Sequence, residues 1–364
     1  MPPEAPAGPL RVFVNLTWPL LLAAGLAVYF DWTNIGRPRR DLPYDRLTTQ
    51  IAVETPAALE RELRDLDGDL VADPPADPVA TLDPAVLRLA VWRPTSATGE
   101  LAPWRPLLEH LEKSIGRKVE AIALAPQDRW ISVLARGEAQ AACLPGERVP
   151  AAVRAAGFVP LGTIAVGEAT GVQALLVAPS RTSGEGPEIL SGRRVAFTAV
   201  GDFAGFLAPV AAMRDRHRLA LGRNYAYCFA GGPQEALAAV AARERDPRFE
   251  QGAAGAAIDS DDLERGVETG VIARSESRAL WRSPSYPALV FGRSHRLAPA
   301  LAVKLAAGLA SFAWKNDRLG KELRPGAGDR RYVAIDYRRD FAFYFEVESI
   351  LARIRAEPPP AIPY

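Results

Sequence analysis

The chain is poor in the residues that build metal and nucleophile chemistry. Its two cysteines, Cys143 and Cys228, stand far apart in 364 residues without CxxC spacing, so neither a zinc site nor a disulfide framework is indicated. Both read as small buried apolar thiols in strands. The three histidines, His110, His217 and His295, form no pair at metal-ligand spacing, and no GxSxG, HExxH, P-loop or GxGxxG context occurs. The expectation is therefore a protein that is not an enzyme, with no metal and no cofactor. An excess of positive charge is missing too. With 44 basic and 43 acidic side chains the net charge is +1, and the footprint of phosphate-backbone binding is absent, so nucleic acid is not expected as a partner.

What is present is an ordinary globular balance, 48% hydrophobic and 24% charged, cut into many short elements by 29 Gly and 32 Pro. Such a chain has enough apolar content for a sizeable core, and a multi-element α/β body fits it. Residues 12–30, VFVNLTWPLLLAAGLAVYF, form an uncharged run close to the length that spans a bilayer. It is read as a single transmembrane helix, with Trp18, Tyr29 and Trp32 as interfacial aromatics and Pro19 as a kink. A cleaved signal peptide is the competing reading, set against by FDWTNIGRPRR, which offers no small-x-small site. Arg37, Arg39 and Arg40 follow the run and only Arg11 precedes it, a bias that by itself would leave the remainder in the cytoplasm.

Residues 33–85 are rich in Pro and Asp and read as a spacer, either a tether or a flexible linker, with one short helix at PAALERELRDL. From residue 86 strands and helices alternate, which predicts a largely parallel sheet. VLRLAVW, PWRPLLEHLEKSIGR, KVEAIAL, DRWISVLARGE, AQAACL, VPAAVRAAG and FVPLGTI make a first set, and RRVAFT through SDDLERGVETG a second. Strands near LWRS and ALVFG and two long helices then return. The expected body is two α/β lobes, lobe 1 over about residues 86–175 plus the C-terminal return and lobe 2 over about 190–285. EHLEK places His110 on the surface of an amphipathic helix. Asp261 and Asp262 read as first-turn charges favoured by the helix dipole. Near the end, Phe341, Phe343, Tyr344 and Phe345 are too many aromatics for one core-facing stripe. Some of them are candidates to face a partner, against the alternative that the helix packs across both lobes.

The run LRLAVWRPTSATGELAPWRPLLEHLEKSIGRKVEAIAL, followed in order by GRRVAFT, GFLAP, CFAGGPQEALAAV and GAAIDSDDLER, resembles the periplasmic phosphonate-binding proteins of ABC importers over roughly residues 86–345. The resemblance implies a two-lobed type II periplasmic-binding-protein fold, a cleft between the lobes and a periplasmic place for the domain, with the N-terminus inside. At the first helix of lobe 2, where that family places a Ser-Thr-Ser-Gly grip on the phosphonate, this chain has Asp202, Phe203, Ala204 and Gly205. An ionised Asp about 4 Å from a bound anion costs on the order of 1 kcal/mol in water and roughly 4 kcal/mol in a partly buried cleft. Where the family has a Ser-His pair stand Gly232 and Pro233, and Gln127 replaces a first-lobe tyrosine. Asp259 keeps the place of an acidic group that accepts a ligand amine. Asp202 also has a local explanation, as the N-cap of FAGFLAPVAAM.

These readings favour an inner-membrane, single-pass accessory subunit whose binding-protein-like domain has lost its anion site. It would brace a larger integral complex, with a photosynthetic or respiratory assembly as the candidate, and the degenerate site counts against a small-molecule ligand. The alternative is a membrane-tethered solute-binding protein of an ABC importer.

Overall fold

The computed structural model describes residues 58–92, 101–124, 130–241, 252–314, 318–326 and 328–356. The apolar run with Trp18, Pro19, Tyr29 and Trp32 lies outside the described residues, as does Gln127. No helix among the described residues is long and apolar enough to cross a membrane.

Lobe 1 opens with β1 (Val86–Trp92), α1 (Arg105–Ile115), β2 (Lys118–Leu124), α2 (Trp130–Ala135), β3 (Ala141–Pro145), α3 (Val149–Ala156) and β4 (Phe158–Val166). Leu107, Leu111 and Ile115, four residues apart, form the buried stripe of α1. Gly116, at φ 74°, then ends the helix in a left-handed turn that other residues resist. Lobe 2 holds β5 (Ala174–Pro179), β6 (Arg194–Phe197), a π-helical turn Phe203–Leu207 leading into α4 (Ala208–Asp215), and β7 (Ala226–Phe229). It continues with α5 (Pro233–Ala241), β8 (Gly255–Asp259), α6 (Ser260–Glu268) and β9 (Ser277–Arg282). The chain returns through β10 (Leu289–Ser294), α7 (Pro299–Ser311), α8 (Arg318–Leu323), β11 (Arg330–Ala334), α9 (Tyr337–Asp340) and α10 (Ala342–Ala356).

The strand orders are β11-β4-β10-β3-β1-β2 in lobe 1 and β7-β6-β8-β5-β9 in lobe 2. Both sheets are mixed rather than largely parallel. The returning β10 runs antiparallel to β3 and β4, and β5 runs antiparallel to β8 and β9. Because β5 pairs in the second sheet, lobe 2 begins near residue 174 and not 190. The two crossings between lobes lie side by side, joined by backbone hydrogen bonds between Val172 and Tyr286 in both directions at 2.9 Å.

PAALERELRDL does not form the expected helix over its described part, residues 58–66, which runs in turns along lobe 1. Glu60 donates its N–H to the Arg154 carbonyl at 2.9 Å. Asp65, Asp67 and Asp69 turn their carboxylates onto the N–H groups of Gly68, Leu70, Asp69 and Val71, the local competition that makes Asp a poor helix former. His110 is half-buried against α7, its Nε2 3.0 Å from the Gly308 carbonyl oxygen.

One apolar cluster joins Val149 and Phe158 of lobe 1, Phe197 and Phe206 of lobe 2, and Phe341, Val347 and Ile350 of the C-terminal segment. The helix α10 is therefore the seam of the molecule. Phe341, Phe343 and Tyr344 are buried, with exposures of 0%, 8% and 2%, so of the two readings the packing of the helix across both lobes holds for them and the partner contact does not. Phe345 is half-buried beneath the Arg154 guanidinium, 5.5 Å from its ring centroid. The aromatic surplus arises because α10 has two lobes to pack against and so buries more than one stripe. Its ion pairs are split in the same way. Glu348 takes Arg154 of α3 at 2.9 Å, whereas Glu346 takes Arg216 at 2.7 Å and Arg353 takes Asp215 of α4 at 2.8 Å.

Gly146, at the end of β3, sits where any Cβ would overlap the Pro287 carbonyl oxygen and the Tyr344 hydroxyl. Gly146→Ala is expected to destabilise the protein by about 1–3 kcal/mol through overpacking. Urea unfolding would read that loss, and an unchanged midpoint would show that the seam is slack there.

Candidate functional site: the cleft between the lobes

Three carboxylates stand just beyond the C-terminal ends of strands, where ligands of open α/β sheets bind. Glu147 follows β3, Asp202 follows β6, and Asp259 ends β8. All three line one cavity of about 450 Å³ between the lobes, together with Arg148, Phe203, Ala204, Tyr286 and Tyr344. Asp202 and Asp259 are held by their own helices. The Gly205 N–H donates to Asp202 Oδ1 at 2.8 Å, and the Asp262 N–H donates to Asp259 Oδ1 at 2.6 Å. The expected capping role of Asp202 is met, and its own carboxylate takes the helix-start N–H of Gly205.

The acids crowd one another. Burial, reinforced by Asp202, pushes Glu147 up to about 7. Burial first, then Asp262, Asp261 and Asp202, hold Asp259 well above the usual carboxylate range. Burial also lifts Asp262 to about 6. These are the two ordinary causes of a raised carboxylate, desolvation and like charge.

The floor is aromatic. Phe203 packs against Tyr344, Tyr286 and Phe343, with ring centroids at 4.2, 5.1 and 5.7 Å. The Tyr344 hydroxyl donates to the Pro287 carbonyl at 2.8 Å. Tyr286, 4% exposed, has a hydroxyl with no hydrogen-bond partner among the described residues. Thr198, behind the helix start, is 1% exposed and lies so close under Gly205 that a Cβ there would overlap its hydroxyl.

Of the residues expected at the site, the cavity gathers Asp202, Phe203, Ala204 and Asp259, while Gly232 and Pro233 open α5 and do not line it. Sequence reasoning missed Glu147, Arg148 and Tyr286, and it weighed Tyr344 as a partner contact or a core residue without placing it at the cleft. For Glu147 and Arg148 a signal existed: the end of the strand AACLP followed at once by a helix. Tyr286 carries no local signal.

The family model for the periplasmic phosphonate substrate-binding protein of ABC transporters matches residues 91–340. The chain belongs to that family. Its members are solute-binding components of importers rather than catalysts. The chain is 25% identical over 244 residues to the phosphate-import protein PhnD of Mycolicibacterium smegmatis, covering 64% of this chain and 74% of that one. Among solved structures it is similar to XAC2383 from Xanthomonas citri bound to ATP, at 18% identity and TM-score 0.57, covering 75% of this chain and 99% of that one. It is also similar to PhnD1 from Prochlorococcus marinus in complex with methylphosphonate, at 12% identity and TM-score 0.53, covering 76% and 100%. These structural likenesses establish the two-lobed fold. In that frame the cavity occupies the interlobe cleft of a phosphonate-binding-family domain.

Proposed function

We propose that this chain is the ligand-binding component of an ABC-type importer, working on the periplasmic side and tethered to the inner membrane through residues 12–30. Its cleft selects something other than a bare phosphonate or phosphate. The observation that carries the reading is the Asp202 carboxylate, which takes the Gly205 N–H at the helix start where the family resemblance places anion-gripping hydroxyls. A bound oxyanion there would meet like charge instead of donors, with Phe203 and Ala204 offering no side-chain hydrogen bond in return. The interlobe cavity itself is kept and is large enough for a small molecule.

A second reading, an accessory subunit bracing a larger integral complex, is favoured by one observation. The helix α10 is ion-paired to both lobes, and Phe203 fills the floor between them, an arrangement that suits a domain working without hinge closure. Mild-detergent purification of the full chain from its native membranes, with mass spectrometry of what travels with it, separates the two. Recovery with an ABC permease is expected. Stoichiometric recovery inside a large integral complex without a permease would overturn the importer reading in favour of the brace.

A further inference from the structure

The polar atoms that line the cleft are unmatched in both senses. On the acceptor side, the helix starts take only Oδ1 of Asp202 and Oδ1 of Asp259, and the second oxygen of each carboxylate has no hydrogen bond among the described residues. Glu147 brings a third carboxyl from lobe 1. On the donor side stands Arg148, the one basic residue of the described lining. Its guanidinium lies over the Trp92 ring, 5.3 Å from the centroid, and its Nε is screened from solvent with no acceptor among the described residues. Tyr286 adds a buried hydroxyl at the same cavity, also without a partner among them. Buried polar atoms without partners are rare in folded proteins. A guest made only of donors leaves Arg148 unmatched, and a guest made only of acceptors leaves the carboxylates unmatched. Hydroxyl groups serve both, each with one O–H to donate and two lone pairs to accept.

We infer that the cleft takes a small neutral polyhydroxyl compound, a monosaccharide or a cyclic polyol, whose hydroxyls donate to Asp202 and Asp259 and accept from Arg148 Nε. This names a ligand class for the importer reading and rests on that reading. Charge points the same way. Burial, with Asp202 adding, holds Glu147 up to about 7, and burial holds Asp259 well above the usual carboxylate range. Below pH 7 those two carboxyls keep their protons, so the Asp202 carboxylate is set against the single positive charge of Arg148 and the described lining is close to neutral. A net charge on the guest would go uncompensated there. Protonated carboxyls donate as well as accept, which is what a network of hydroxyls requires. The floor fits the rest of such a guest. Phe203, Tyr286 and Tyr344 present rings to the cavity, and the slightly positive C–H groups of a sugar ring suit the negative face of an aromatic one. The volume, about 450 Å³, is ordinary for a small-molecule site.

The experiment titrates the full chain in detergent at pH 6 with myo-inositol, D-ribose, D-glucose, ethanolamine and methylphosphonate, read by isothermal titration and by thermal shift. At least one of the three polyhydroxyl probes is expected to bind saturably and raise the melting temperature. Its affinity should move less than about 2-fold between low and high salt, because an uncharged guest has no charge to screen. Ethanolamine and methylphosphonate are expected to give no shift. Arg148→Lys, which keeps the charge and removes Nε, is expected to weaken polyhydroxyl binding about 10-fold. Saturable binding of ethanolamine or methylphosphonate with the polyhydroxyl probes silent would overturn the neutral-guest assignment and leave the importer reading standing. Silence from every probe on a chain that still travels with an ABC permease would do the same, whereas silence on a chain recovered without one would overturn both. An unchanged affinity in Arg148→Lys would overturn the contact given to Arg148. The wild-type titrations decide the main point even where the variant fails to fold.

Discussion

Replacing Arg324 with methionine is expected to lower the unfolding free energy by about 3–5 kcal/mol, the range for breaking a buried ion pair from one side. Arg324 is 2% exposed. Its Nε donates to Asp261 Oδ2 at 2.6 Å, its Nη1 to the Ile164 carbonyl at 2.7 Å and its Nη2 to the Gly171 carbonyl at 3.1 Å. One side chain thus joins α6 of lobe 2, β4 of lobe 1 and the crossing between them. Methionine fills much of the space but leaves a carboxylate and two carbonyls without that donor, and the unpaired buried charge dominates the loss. Arg318→Met is the control. Arg318 pairs with Glu322 at 2.7 Å but is 81% exposed, so its loss should stay below about 0.5 kcal/mol. Urea unfolding of both variants reads the difference, and similar midpoints would mean that the lobes are not fastened through Arg324.

Glutamine at position 147 should stabilise the protein at pH 8 and leave it nearly unchanged at pH 4. Burial, with Asp202 adding, raises the Glu147 carboxyl to about 7 from an ordinary value of 4.5. Between those two values the folded state holds a proton that the unfolded state has released, so stability falls as pH rises through that window. Above pH 7 the full penalty of a charged, crowded carboxylate is present, about 1–3 kcal/mol. Glutamine removes it. Melting temperatures at the two pH values test the sign. An equal change at both would assign the effect to packing, and a loss of stability at pH 8 would mean that Glu147 gains more from Arg148 than it loses to burial and Asp202. Asp259 and Asp262 titrate in both proteins, so the difference isolates Glu147.

The alternation of strands and helices was legible because its signals are local. Apolar runs sit between glycines such as Gly116 and Gly157, whose left-handed φ ends a helix at once. The capping role of Asp202 was legible for the same reason, since donor and acceptor lie three residues apart. The cavity was only half legible. Glu147 and Tyr286 meet there from different lobes and crossings, and no pattern along the chain records such a meeting. The C-terminal aromatics left two readings open for a geometric reason: a helix buried by two lobes has the same sequence signature as a helix buried by one lobe and one partner. PAALERELRDL misled through composition, because its good helix formers run into DLDGD, whose side chains take the backbone for themselves.

Lobe 2 occupies one unbroken stretch, from Ala174 to Arg282, and its entry and exit are neighbours. Lobe 1 is divided, and its sheet needs β10 and β11 from the far end of the chain. During vectorial synthesis the second lobe therefore acquires every strand it needs while the first still presents β3 and β4 with open edges. Unpaired edges recruit foreign strands, so the interval between the emergence of Val166 and that of Leu289 is the stretch of biogenesis in which this chain most needs a chaperone.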